Sequence, residues 1–287
     1  MTNVININNG DLVLSLKTDP VEMISLKKGN TEFLYQKEGS WDKVSPILFP
    51  ICGKLKDDSF IYESKIYKMP KHGFVQGHTA DKWTIEKLED NKVSFLLSSD
   101  KELFKMYPFE FELRVEFELK SSNELSIRNT VINRSETKDL FYSFGHHPAF
   151  KTNKDGVVKY NKVEKFTNVF PNGFVDLNSK TYTTNEIKLN DVKWSPDINP
   201  AVIKMNSTKV EYRDSSREID FMVSDFETML LWSKDGGTKW LCFEPWNGLP
   251  DFANDDIIEL SDKKGMVKVL KNESHSSNLL ISLKTHK

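Results

Sequence analysis

From Phe109 to Lys120 the apolar residues Phe109, Phe111, Leu113, Val115, Phe117 and Leu119 alternate without error with Glu110, Glu112, Arg114, Glu116, Glu118 and Lys120. Successive side chains of a strand point to opposite faces, so a period of two this long reads as a β-strand with one dry and one wet face. Antiparallel sheets are the ones that tolerate water on one side. Shorter stretches follow the same reading: Leu12 to Leu16, Phe60 to Tyr67 with a turn near Glu63-Ser64, Val93 to Leu97, Leu125 to Ile132, Phe141 to Phe144, Met229 to Trp232, Leu241 to Phe243 and Leu279 to Leu283. Turn-prone clusters such as Asn8-Asn9-Gly10, Lys28-Gly29-Asn30 and Asp235-Gly236-Gly237 separate such stretches, and no helical period is sustained. Many short strands joined by polar turns predict an all-β chain, an antiparallel sandwich or barrel, and not βαβ units.

The 287 residues are enough for one large β domain or two smaller ones, each with a full core. No shift in composition, internal repeat or low-complexity tract divides them, so one domain over 1–287 is the simpler expectation. Asn185 to Pro200, polar and proline-bearing, reads as a long surface loop within it.

Charge narrows the partners. Forty basic residues against forty-two acidic ones leave a formal charge of −2, and no basic stripe interleaved with aromatics tracks a phosphate backbone, which argues against nucleic acid. Arginine, the usual bidentate clamp for phosphate and carboxylate, occurs only at 114, 128, 134, 213 and 217. Cys52 and Cys242 are too few for a disulfide framework and lack a CxxC spacing, which fits a reducing, cytoplasmic setting. Met1 to Thr18 shows no secretory pattern, and no run of eighteen apolar residues suggests a membrane span.

Within this scaffold Glu244 stands out, set in Leu241-Cys242-Phe243-Glu244-Pro245-Trp246-Asn247-Gly248-Leu249-Pro250-Asp251. Apolar surroundings disfavour the ionised carboxylate and raise its pKa, which brings it toward the range of a base working near neutrality. A partner is available in Phe144-Gly145-His146-His147-Pro148-Ala149-Phe150, where the proline biases His147 toward an extended backbone. At most one of His146 and His147 faces a common cleft, since strand neighbours point opposite ways. Ser45 to Asp57 reads as a strand ending in a site-forming loop, and Met69 to His78 places His72 just before Gly73, where backbone can approach a ligand closely. Trp232, Trp240 and Trp246 bracket Glu244, and indole faces stack on the apolar face of pyranose rings.

Four of these segments, Pro46-Ile47-Leu48-Phe49-Pro50-Ile51-Cys52-Gly53-Lys54-Leu55, Lys71-His72-Gly73-Phe74-Val75, Gly145-His146-His147-Pro148-Ala149-Phe150 and Phe243-Glu244-Pro245-Trp246-Asn247-Gly248, occur in an order that resembles a bacterial branch of the aldose 1-epimerase, or galactose mutarotase-like, family. The resemblance runs from about Trp41 to Asp251. It implies a large antiparallel β-sandwich of the supersandwich type, no cofactor, no metal and a small-molecule sugar substrate. It makes Glu244 the general base, His147 the general acid and His72 a second histidine beside the ring oxygen. Trp246 and Phe150 would shape the cleft, with Lys54, Gln76 and Asp251 completing the substrate-binding set.

That chemistry suits these residue types. A base removes the anomeric hydroxyl proton while an acid protonates the ring oxygen; the ring opens, C1–C2 rotates and closure yields the other anomer. Two positions depart from the family pattern, Gln76 and Lys54, where relatives commonly carry arginine. Both departures weaken the case for a hexose 6-phosphate 1-epimerase, although Lys54 and Lys56 could still supply charge. Two further alternatives belong to other classes. A binding or regulatory module would keep the cleft without turnover, and a metal-dependent cupin-like enzyme would need histidines one residue apart where this chain has adjacent ones.

Overall fold

The computed structural model describes residues 4–79, 81–169, 171–195, 198–234 and 236–286. Asp235 of the glycine-rich turn, Pro196 and Asp197 of the expected loop, and Met1 to Asn3 of the N-terminal segment lie outside them. The alternation beginning at Phe109 becomes the strand Phe111–Ser121, whose side chains are buried and half-buried in turn. It pairs antiparallel with Glu124–Asn133 on one side and Lys92–Ser98 on the other. Its wet face is laced with ion pairs, including Arg114 to Glu86 at 2.5 Å and Arg134 to Glu112 at 2.6 Å. Exposed pairs of this kind contribute little stability and chiefly keep the face hydrated.

This ladder belongs to a 15-stranded sheet that runs from Ile47–Leu48 at one edge to Trp83–Leu88 at the other. A 4-stranded sheet built from Val4–Asn8, Leu12–Thr18, Val21–Lys28 and Thr31–Glu32 packs against it. One continuous core joins Leu14, Leu16 and Met23 of the small sheet to Phe95, Val115 and Phe117 of the large one. Among the described residues every ladder between strands is antiparallel. The fold is an all-β antiparallel sandwich. The one α-helix among the described residues, Lys101–Met106, is a short link capped by Asp100, whose carboxylate accepts from the amides of Glu102 and Leu103. No helix among the described residues is long and apolar enough to cross a membrane.

Three expectations change. Phe141 to Phe144 is not one strand: Leu140–Tyr142 pairs with Val267–Val269, whereas Phe144–His146 joins the large sheet. The chain changes sheets at Ser143, whose amide donates instead to Pro50 O at 2.7 Å. The expected loop from Asn185 is partly strand, because Thr181–Lys188 pairs with Val157–Val169 and Ile198–Val202 enters the large sheet. Only Ile187 of Thr181–Lys188 is buried, so the apolar alternation that would mark a strand is missing. The strand expected over Leu241 to Phe243 extends from Trp240 to Asn247 and is buried on both faces, so it shows no alternation either.

Candidate active site

That doubly buried strand organises the site. Leu241 and Phe243 face the core, where Phe243 stacks on Phe221 with centroids 4.6 Å apart. Cys242, Glu244 and Trp246 therefore point the other way. Across the sheet Leu230 pairs with Glu244 and Trp232 with Cys242. On the opposite flank Gly145 pairs with Trp246 and Ala149 with Cys242. This register is continuous through Pro148, whose carbonyl accepts from Phe243 N at 3.0 Å. It sets His147 directly across from Glu244, and His147 Nε2 lies 3.1 Å from Glu244 Oε2.

Glu244 is thus flanked by an imidazole on one side and a leucine on the other. Burial pushes its carboxyl well above the usual carboxylate range, opposed only in part by the ammonium of Lys71. Burial likewise pushes His147 down to about 3, a backbone hydrogen bond opposing the shift and Lys71 and Lys43 adding to it. Both partners are therefore driven to their neutral forms, the carboxyl holding a proton and the imidazole lacking its second one. Trp41 stacks on the His147 ring at 5.2 Å and Trp232 meets it edge-on at 5.6 Å, which keeps water from one side.

His72 arrives from a separate loop. Its amide donates to Gly53 O at 2.8 Å, while its Nδ1 accepts from Gly53 N at 3.1 Å. With Nδ1 occupied as an acceptor, Nε2 carries the proton of the neutral ring. Burial and the charge of Lys71 keep that ring neutral by pushing its pKa well below the ordinary value. The loop needs Gly73: at φ +78, an added Cβ would lie 2.0 Å from Phe49 O. The His72 ring centroid is 5.7 Å from those of both His147 and Trp246.

These groups open onto a hollow of about 650 Å³, within the range of small-molecule sites. Glu244, His147, His72, Trp246, Lys54 and Gln76 all line it. Gln76 is partly committed, its Nε2 donating to Ile47 O at 3.3 Å. Two expected members lie elsewhere. Phe150 is fully buried on the core face, packed on Phe221 and Phe243, because its pairing with Leu241 turns it away from the hollow. Asp251 is also buried; its carboxylate takes Lys263 Nζ at 2.7 Å and Lys56 N at 2.8 Å. It braces the loop carrying Lys54 and does not line the hollow. His146 turns inward and meets Asn129 Nδ2 at 2.9 Å.

The sequence reading passed over Trp41, Lys43, Lys71, Asn172, Asn199 and Lys234, all of which line the hollow. Lys71 precedes His72 in the segment Lys71-His72-Gly73-Phe74-Val75; the others come from segments with no motif. His147, Cys242 and Glu244 also place ligand atoms within 4.8 Å of one another, so among the described residues these three could hold a metal ion. An ion there would occupy both members of the acid–base pair, and burial opposes the thiolate it would need by pushing the Cys242 thiol well above its ordinary pKa.

Fold and site together define a galactose mutarotase-like sandwich protein. The aldose 1-epimerase family model matches residues 22–282, and the chain belongs to that family. Protein LacX (plasmid) of Lactococcus lactis subsp. lactis is 31% identical over 289 residues, covering 93% of this chain and 94% of that protein. The galactose mutarotase related enzyme of Lactobacillus acidophilus superposes with a TM-score of 0.89 at 24% identity, over 99% of this chain and 98% of the other. A galactose mutarotase-like protein from Lactobacillus casei ATCC 334 gives 0.85 at 22% identity, over 99% and 100%.

Proposed function

We propose that the protein is an aldose 1-epimerase, interconverting the α and β anomers of a sugar by ring opening and closure. The observation that supports this most is the facing of His147 and Glu244 within one open hollow. The anomeric oxygen and the ring oxygen are bonded to the same carbon, so a base for one and an acid for the other must stand side by side.

In this reading Glu244 takes the proton from the anomeric hydroxyl as His147 gives one to the ring oxygen, and the C1–O5 bond breaks to leave an aldehyde. Rotation about C1–C2 presents its other face. Closure reverses both transfers and returns the pair to its starting state. Burial favours a protonated carboxyl beside a neutral imidazole, which is the condition reached when the ring has opened, so the site lowers the cost of that step. His72, held as an Nε2 donor, would bind a sugar oxygen without exchanging its own proton. Trp246 supplies an indole wall for the apolar face of the ring.

The test is polarimetry on freshly dissolved α-galactose and α-glucose, with Glu244→Gln and His147→Asn as controls. Accelerated relaxation lost in both variants is expected. Tight sugar binding with no acceleration across free and phosphorylated aldoses would replace the enzyme reading with that of a binding protein.

A further inference from the structure

Three side chains converge at the hollow, and the proton transfers use only two of them. His147, Cys242 and Glu244 each place a ligand atom within 4.8 Å of the other two. Cys242 and Glu244 are two residues apart on one face of Trp240–Asn247, and His147 Nε2 meets Glu244 Oε2 at 3.1 Å. Cys242 is fully buried, packed with Tyr35, Ala149 and Trp240. His147 and Glu244 line the hollow, so an ion arriving there meets them first and the thiol last. Thiolate, imidazole and carboxylate are the ligands of zinc. With bonds of about 2.0–2.3 Å, a tetrahedral zinc holds its ligand atoms about 3.3–3.6 Å apart, so the group has to close by roughly 1 Å at its widest.

Resting on the epimerase reading, we propose that His147, Cys242 and Glu244 form a reversible site for a thiophilic divalent cation of the zinc type, and that filling it switches the epimerase off. The ion takes the Glu244 carboxylate, the neutral His147 imidazole and the Cys242 thiolate. A carboxyl proton and a thiol proton leave for solvent as two positive charges enter, so the buried group is as neutral afterwards as before. Burial opposes a bare thiolate there, and not one neutralised by the ion in the same step.

The surroundings fit a passing occupant better than a resident metal. A metal-binding histidine is ordinarily oriented by a hydrogen bond from its other ring nitrogen, and His147 Nδ1 has no hydrogen-bond partner. The ammonium charges of Lys71 and Lys43 bear on His147 and weaken any cation held by charge alone, which favours a soft ion bound through sulfur over magnesium. His72 does not complete the coordination. Its Nδ1 accepts from Gly53 N, which leaves the proton on Nε2. Three protein ligands leave a fourth position for water or a sugar hydroxyl.

The probes are Co²⁺ and Zn²⁺ added to the intact protein. Co²⁺ should raise a near-ultraviolet sulfur-to-cobalt charge-transfer band that Cys242→Ser and Cys242→Ala lack and Cys52→Ser keeps. In polarimetry Zn²⁺ should abolish the accelerated relaxation, EDTA should restore it, and Mg²⁺ should leave the rate unchanged. With each rate taken relative to that protein's own metal-free rate, both Cys242 variants should need more zinc, by at least the roughly 10–100-fold that loss of even an outer partner of a metal ligand costs. No band in the parent protein, a band that survives in both Cys242 variants, or zinc inhibition that those variants leave unchanged overturns the inference. So does equal inhibition by Mg²⁺. A Cys242-dependent band without loss of rate overturns the switch. If no sugar is turned over, the epimerase reading falls, and the cobalt band, which needs no substrate, still decides whether the site exists.

Discussion

His147 and Glu244 face each other at the gap between the strands Phe144–His146 and Ala149–Lys151: the register that pairs Gly145 with Trp246 and Ala149 with Cys242 is the same on both sides of the gap, and Nε2 lies 3.1 Å from Oε2. Groups facing each other in this way act as a unit. Glu244→Gln and His147→Asn should each lower kcat by about 10²-fold or more. The double variant should be scarcely worse than either single one. Polarimetric rates on all three proteins check this, and fully additive losses would show two independent groups.

The pH dependence follows from burial. The acting form, Glu244 without its proton and His147 with one to give, carries as many protons as the neutral pair, so activity is lost when that shared proton leaves and the alkaline limb of kcat/KM should lie above the ordinary carboxyl value of 4.5. Stability carries the same signature. With its folded-state pKa raised, the carboxyl contributes stability that is complete below 4.5 and is lost as pH rises through the folded value. Glu244→Gln should therefore gain stability over the parent at mildly alkaline pH and not in acid. His146 and His147, both pushed down to about 3, act with the opposite sign, and their contribution fades as pH falls from 6.5. Urea midpoints across pH measure both effects; parent and variant curves that stay parallel would contradict the first.

Gly145 leaves room for the indole of Trp246, since an added Cβ would lie 2.3 Å from its Cδ1. Gly145→Ala should displace that ring and raise KM more than it lowers kcat. Steady-state kinetics separates the two, and an unchanged KM would remove Trp246 from the binding surface.

Asp251 and Lys263 form a buried ion pair, and removing one partner leaves the other charge uncompensated. Asp251→Ala should cost about 3–5 kcal/mol, whereas Asp251→Leu combined with Lys263→Met should recover most of it. Chemical denaturation tests this. Failure of the double variant to recover would mean that the hydrogen bond to Lys56 N, not the pair, dominates.

The sequence announced its strands wherever one face met water, as in Phe111–Ser121, and concealed them where both faces are buried, as in Trp240–Asn247. Glu244 was legible because a carboxyl among apolar neighbours is conspicuous. Its facing of His147, 97 positions earlier, was not, because register is a property of the assembled ladder. Phe150 and Asp251 were misassigned for a related reason. Motif proximity does not say which face a strand presents, nor that a loop carboxylate has a buried lysine twelve residues on. Lys43 and Lys234 left no local mark, since a lysine that lines a hollow looks like any other in one dimension.

The Trp240–Asn247 strand turns one side toward the aromatic interior and the other toward the hollow. The Glu244 carboxyl is therefore carried by a strand paired on both sides and buried on both faces, while the lysines of the hollow hang from connections outside the ladder. Changes in those connections would alter what the hollow presents while leaving the strand itself in place, with Lys43 and Lys71 excepted because their charges bear on the His147–Glu244 pair. Swapping the underlying phenylalanines, by contrast, would retune the chemistry from behind.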